Sequence, residues 1–152
     1  MMRRSIPAAA ILALMLCGCT ETPAETKRDV SEAKQTAAES NDKAQTNANR
    51  EILMADEKIV DEQQAQSETN DDSRRKIAQF ESAAMIAKAR ADFDVAITQA
   101  KGRQRVAKEK CDALDRAARN VCVSAVDATM TADESLAAAN RDNALLVAEY
   151  HK

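Results

Sequence analysis

Residues 107–122 read Ala107-Lys108-Glu109-Lys110-Cys111-Asp112-Ala113-Leu114-Asp115-Arg116-Ala117-Ala118-Arg119-Asn120-Val121-Cys122. Whether this stretch is one continuous helix or two helices joined by a turn decides the fold. Cys122 lies eleven positions after Cys111. At about 100° per residue the two return to nearly the same face, but about 16.5 Å apart along a helix axis. A disulfide needs Cα atoms within roughly 4.4–6.8 Å, so an intrachain bond requires the chain to reverse, near Asp115 to Ala118. A continuous helix would instead place both cysteines on a seam where a parallel partner chain could form interchain bonds. The hairpin is the favoured reading, because the seam around it is too weak to guarantee dimerisation. Closing so short a loop stabilises a fold by on the order of 3 kcal/mol in the chain-entropy model.

Working outward, Phe93, Ile97, Ala100, Gln104, Ala107, Cys111, Leu114, Ala118, Val121 and Ala125 recur in alternating steps of four and three, the spacing of a heptad seam. Ile77, Phe80 and Ala84 begin an amphipathic segment before it, and Ile52, Leu53, Met54, Ile59 and Val60 give another over Arg50–Gln66. The polar run Ser67 to Ser73 separates these two with residues that cap helices. Thr131-Ala132-Asp133-Glu134 has the form of a capping box and predicts the start of a last helix. Leu136, Ala139, Asn143, Leu146 and Tyr150 lie along one face of that helix. Gly102 marks a kink or a helix end.

Composition points to helix alone. After Pro23 there is no proline and one glycine, Gly102, while Ala, Glu, Lys, Gln and Arg carry the lowest helix costs. The chain is 45% hydrophobic but only 2% aromatic, and much of the hydrophobic share is alanine, which buries little area. The core is therefore expected to be modest at about 25 cal/mol per Å².

At the other end of the chain, Arg3 and Arg4 precede an apolar run from Ile6 to Leu16, followed by Leu16-Cys17-Gly18-Cys19. This has the form of a secretory signal, too short for a membrane-spanning helix of roughly 20 residues. The last four residues resemble a bacterial lipobox, which implies cleavage before Cys19 and a lipid on Cys19. In lipoproteins of that kind a residue other than aspartate after the lipidated cysteine, here Thr20, implies transfer to the outer membrane. The expected division is a signal peptide at 1–18, a lipidated flexible tether at 19–48 and a helical domain at 49–152. Val30 is the only large apolar residue between Thr20 and Ala48, and a segment so polar reads as solvated. The mature chain would carry 20 basic against 25 acidic residues, a net charge of −5, which makes nucleic acid an unsuitable partner. With Cys17 removed and Cys19 acylated, Cys111 and Cys122 remain as the two thiols of an oxidising compartment, where a disulfide is the default.

Two resemblances follow from particular residues. Ala91-Asp92-Phe93-Asp94-Val95-Ala96 and the cysteine pair with its flanks resemble small exported Ala- and Lys-rich envelope proteins of Gram-negative bacteria, loosely of Tol type. That resemblance implies an exported helical protein and no activity. Members carry Gly followed by Asn or Asp between the cysteines, where this chain has Arg116-Ala117. The ending Tyr150-His151-Lys152, with the lipobox, is similar to Braun-type murein lipoproteins. It implies Lys152 as the residue whose side-chain amine would be joined to peptidoglycan by a separate enzyme. This chain is about twice the length of that family and lacks its aliphatic heptads.

No catalytic constellation is legible, and no enzyme activity or cofactor is expected. His151 is the one histidine, so neither a histidine-based triad nor a zinc site of several imidazoles is expected. Asp71-Asp72 and Asp92 with Asp94 lack the ligand spacing of a calcium loop and read as caps and solvated faces. Met54, Met85 and Met130 read as core filling. The expectation is an all-α protein of extended helical hairpins or weak coiled coil, anchored in the outer membrane by lipid and facing the periplasm. Its role would be structural, as a spacer or tether to peptidoglycan. Alternatives are a helical module that binds an envelope protein and a redox-responsive factor using Cys111 and Cys122.

Overall fold

The computed structural model describes residues 22–65 and 71–151. They form three helices and, among the described residues, no strand: α1 (Pro23–Ala65), α2 (Asp71–Asp112) and α3 (Arg116–Tyr150). The all-α architecture of helical hairpins expected from composition is the observed one. Cys17, Cys19 and Lys152 lie outside the described residues.

Successive helices are antiparallel, and α2 is the middle member. α1 packs on α2, α2 packs on α3, and α1 and α3 do not pack on one another. The register of α1 on α2 is read from three levels. Pro23 and Thr26 lie beside Ala113, Ala37 faces Gly102, and Met54 and Ala55 flank a cleft with Ala83, Ala84 and Ala87. α3 runs back along α2 from the Cys111–Cys122 bond to a hydrogen bond from Ser82 to the Ala148 carbonyl. At about 1.5 Å per residue, the 42 residues of α2 make a rod about 63 Å long.

The seams are built of small side chains. Ala33, Ala48, Ala89, Ala91, Ala100, Ala137 and Ala148 are buried, joined by Met130, Cys111 and Ser82. Alanine contributes little area per residue but lets helix axes approach closely, and it has the lowest helix cost of any residue. Gly102 belongs to this pattern. It does not end α2, and a Cβ built on it would lie 2.9 Å from the Ala37 Cβ.

Four expectations change. Residues 23–48, read as part of a flexible tether, belong to α1 and pack on α2 through Ala33, Ala37 and Ala48. A helix whose seam is alanine shows no stripe of large apolar residues, and for that reason it reads as solvated. Thr131 starts no helix and sits inside α3, its hydroxyl donating to the Asp127 carbonyl at 3.1 Å, the back-bond by which mid-helix Thr satisfies itself. The seam from Phe93 to Ala125 is split by the turn: Phe93, Ala100, Gln104, Ala107 and Cys111 line the α2–α3 contact, whereas Val121 and Ala125 are exposed. Of Met54, Met85 and Met130, the last is buried but Met54 is exposed.

Candidate functional site

The features that chemistry could use lie at the two ends of the rod. At the first end α1 begins with Thr22-Pro23-Ala24-Glu25, a capping box with proline in the first helical turn. The Thr22 backbone N–H and hydroxyl donate to Glu25 Oε2 at 2.9 and 2.8 Å. The Glu25 N–H returns a bond to Thr22 Oγ1 at 3.3 Å. The Thr22 N–H, then its hydroxyl, hold the Glu25 carboxyl below its ordinary pKa. This box is readable in the sequence; it begins three residues after Cys19 and caps the first turn of α1.

The α2–α3 turn lies at the same end, beside Pro23. The Leu114 N–H donates to the Cys111 carbonyl at 3.0 Å. Asp115, with an extended backbone, accepts from the N–H groups of Ala117 and Ala118, each at 3.0 Å, and so caps α3. Arg119 crosses the turn to Asp112 at 2.7 Å. The reversal therefore falls at Ala113 to Asp115, just before the expected place, and needs no Gly-Asn pair because no residue in it has a positive φ. Cys111 and Cys122 are disulfide-bonded, with Cα atoms 5.7 Å apart. Cys111 is fully buried and Cys122 half-buried.

One turn further along, Asp127 of α3 meets two α2 side chains. Lys108 Nζ is 2.8 Å from Oδ1, and the Gln104 amide donates to the same oxygen at 2.9 Å. The bond from Lys108, then that from Gln104, lowers the Asp127 pKa. Arg103 pairs with Asp133 at 2.8 Å, and the Arg141 guanidinium lies 4.7 Å from the centroid of the Phe93 ring. These contacts fix the register of α3 on α2.

At the far end, Ser82 Oγ donates to the Ala148 carbonyl at 2.8 Å, and both residues are buried. The His151 N–H closes the helix on the same carbonyl at 3.2 Å. Tyr150 is 91% exposed, and His151 is exposed beside it. The two ends are thus separated by the length of the α2–α3 contact. Among the described residues no three His, Cys, Asp or Glu side chains converge as a metal site would require, and no helix is long and apolar enough to cross a membrane.

No protein-family model, curated protein or solved structure matches the chain.

Proposed function

We propose that the protein is a cell-envelope lipoprotein that acts as a spacer, held in the outer membrane by a lipid on Cys19 and reaching into the periplasm with its C-terminus. The observation that carries this reading is the odd number of antiparallel helices among the described residues. Three helices put the start of α1 and the end of α3 at opposite ends of one rod. Pro23 lies level with Ala113 and Ala148 level with Ser82, so the 31 residues of α2 between those levels separate the ends by about 46 Å.

Further support comes from how the ends are built. The Thr22–Glu25 box lets α1 start almost at Cys19, so nearly all of the reach comes from rigid helix. The disulfide and the Asp115 cap lock the membrane-side end, and Ser82 holds the last turn of α3 while leaving Tyr150 in solvent. Tyr150 is exposed at the far end, and Lys152 follows it by two residues in the sequence, which suits attachment of its amine to peptidoglycan. The similarity of Tyr150-His151-Lys152 to the murein lipoprotein ending makes that amine the proposed attachment point.

Intact mass of the protein released from cell walls by muramidase tests the reading. The expected product begins at Cys19, carries acyl chains and an internal disulfide, and has a muropeptide on Lys152. A product of unmodified full-length mass contradicts it, and free Lys152 in every molecule removes the covalent attachment.

A further inference from the structure

The outer face of α3 has a composition unlike the rest of the chain. Val121, Ala125, Ala128, Ala132, Leu136, Ala139, Asn143, Leu146 and Tyr150 are all exposed, at 72% for Val121, 63% for Leu136 and 60% for Leu146. Their steps are four and three, with one extra step of four between Ala132 and Leu136. At about 100° per residue they fall in a stripe about 80° wide. It runs for 30 residues as two heptad-spaced stretches, Val121–Ala132 and Leu136–Tyr150, joined by that extra step.

The charges of α3 avoid this stripe. All eight of them, Arg116, Arg119, Asp127, Asp133, Glu134, Arg141, Asp142 and Glu149, lie outside an uncharged sector about 140° wide that contains it. Arg119, Asp127 and Asp133 turn instead to Asp112, Lys108 and Arg103 of α2. In a chain that is 31% charged, a solvated helix face would carry charge. α1 does not supply the cover, since it packs on α2 away from α3.

We infer that this face of α3 pairs with the same face of a second copy of the chain, in parallel and in register, with Asn143 as the residue that sets the register. A neutral face is complementary to itself and offers nothing to a charged partner. In the parallel register Ser135 flanks Asn140 of the second copy and Asp142 flanks its Val147, so no like charges meet across the seam. Asn143 decides the direction. In a parallel pair its amide meets Asn143 of the second copy, whereas in an antiparallel pair it meets an alanine or leucine and goes unpaired. Ser124, Ala125, Ala128, Thr129, Thr131 and Ala132 are small enough for the axes to approach closely. The inference does not depend on the lipid, although two rods anchored at the same end would be parallel already.

The exported protein in mild detergent provides the test, by sedimentation and by cysteine cross-linking. The expected species is a dimer. Asn143→Cys forms an interchain disulfide on mild oxidation and Glu134→Cys, outside the uncharged sector, does not. Leu136→Glu with Leu146→Glu raises the dissociation constant on the order of 100-fold while circular dichroism shows unchanged helix, because neither side chain faces α2. Asn143→Leu tightens association and loses the single orientation. A monomer at every concentration overturns the inference. So does a dimer that cross-links through Glu134→Cys rather than Asn143→Cys, one indifferent to the double substitution, or a stoichiometric complex of this face with a different protein.

Discussion

Gly102 shows how closely the helices of this chain approach. An added Cβ would stand 2.9 Å from the Ala37 Cβ, and a backbone-attached methyl cannot swing aside. Gly102→Ala gains about 1 kcal/mol of helix propensity and incurs an overpacking cost of about 1–3 kcal/mol. We expect a net loss of about 1 kcal/mol in urea unfolding, recovered in part when Ala37→Gly is added. A stabilised Gly102→Ala protein would mean that α1 is not seated there. Asp127 gives a second residue-level expectation. Its folded pKa is depressed by Lys108 and Gln104, so its contribution is present above the unfolded carboxyl value of about 3.9 and is lost as pH falls through the folded value. Asp127→Asn should flatten the acid side of the stability–pH profile below about pH 4, leaving the slope at neutral pH unchanged. An unaltered acid limb would show that the Lys108 contact is not held in solution. The sequence carried the cue for one residue-level feature that a search for large apolar residues passes over: Thr22 with Glu25 three positions on, and Pro23 between them.

At the scale of elements, the α2–α3 hairpin was the most legible part of the chain, because two cysteines eleven positions apart can bond within one chain only across a reversal. Its turn was harder to place, since the reversal uses no positive φ and therefore no glycine, and Asp115 marks only the start of the helix that follows. α1 was the least legible. Val30, Ala33, Ala37, Ala44, Ala48, Ala55 and Ile59 lie at helical spacing and are buried or half-buried, but five of the seven are alanine, which composition alone cannot assign to a buried or a solvated face. The start of a helix at 131 was misplaced for the converse reason: a capping box begins a helix only where the preceding residues are not already helical, and Ala125 to Met130 are. The hairpin yields a direct expectation. Non-reducing electrophoresis of the mature protein should show no interchain Cys111–Cys122 species, and Cys111→Ala with Cys122→Ala should lower stability by about 3 kcal/mol. A reductant-sensitive dimer linked through these two cysteines would contradict the bond as drawn.

At the scale of the whole molecule, the arrangement is an open layer of three helices. α2 is covered on two sides, while α1 and α3 are each covered on one. Such a shape has little core for its surface, and the buried residues are correspondingly small. It gains length instead, with the α1 start and the α3 end at opposite ends and one long uncharged face along α3. The number of helices was not legible, because the alanine seams hide where one amphipathic segment ends and the next begins. Yet the proposed spacer depends on that number, since an even count among the described residues would bring the end of the last helix back to the level of Pro23. The separation of the ends can be measured by double electron–electron resonance between spin labels at Lys27 and Glu149, diluted with unlabelled protein so that only distances within one chain are read. One narrow distribution at about 40–45 Å is expected, set by the rise of about 1.5 Å per residue along α2. A main distance below about 25 Å would place both ends together and contradict the spacer.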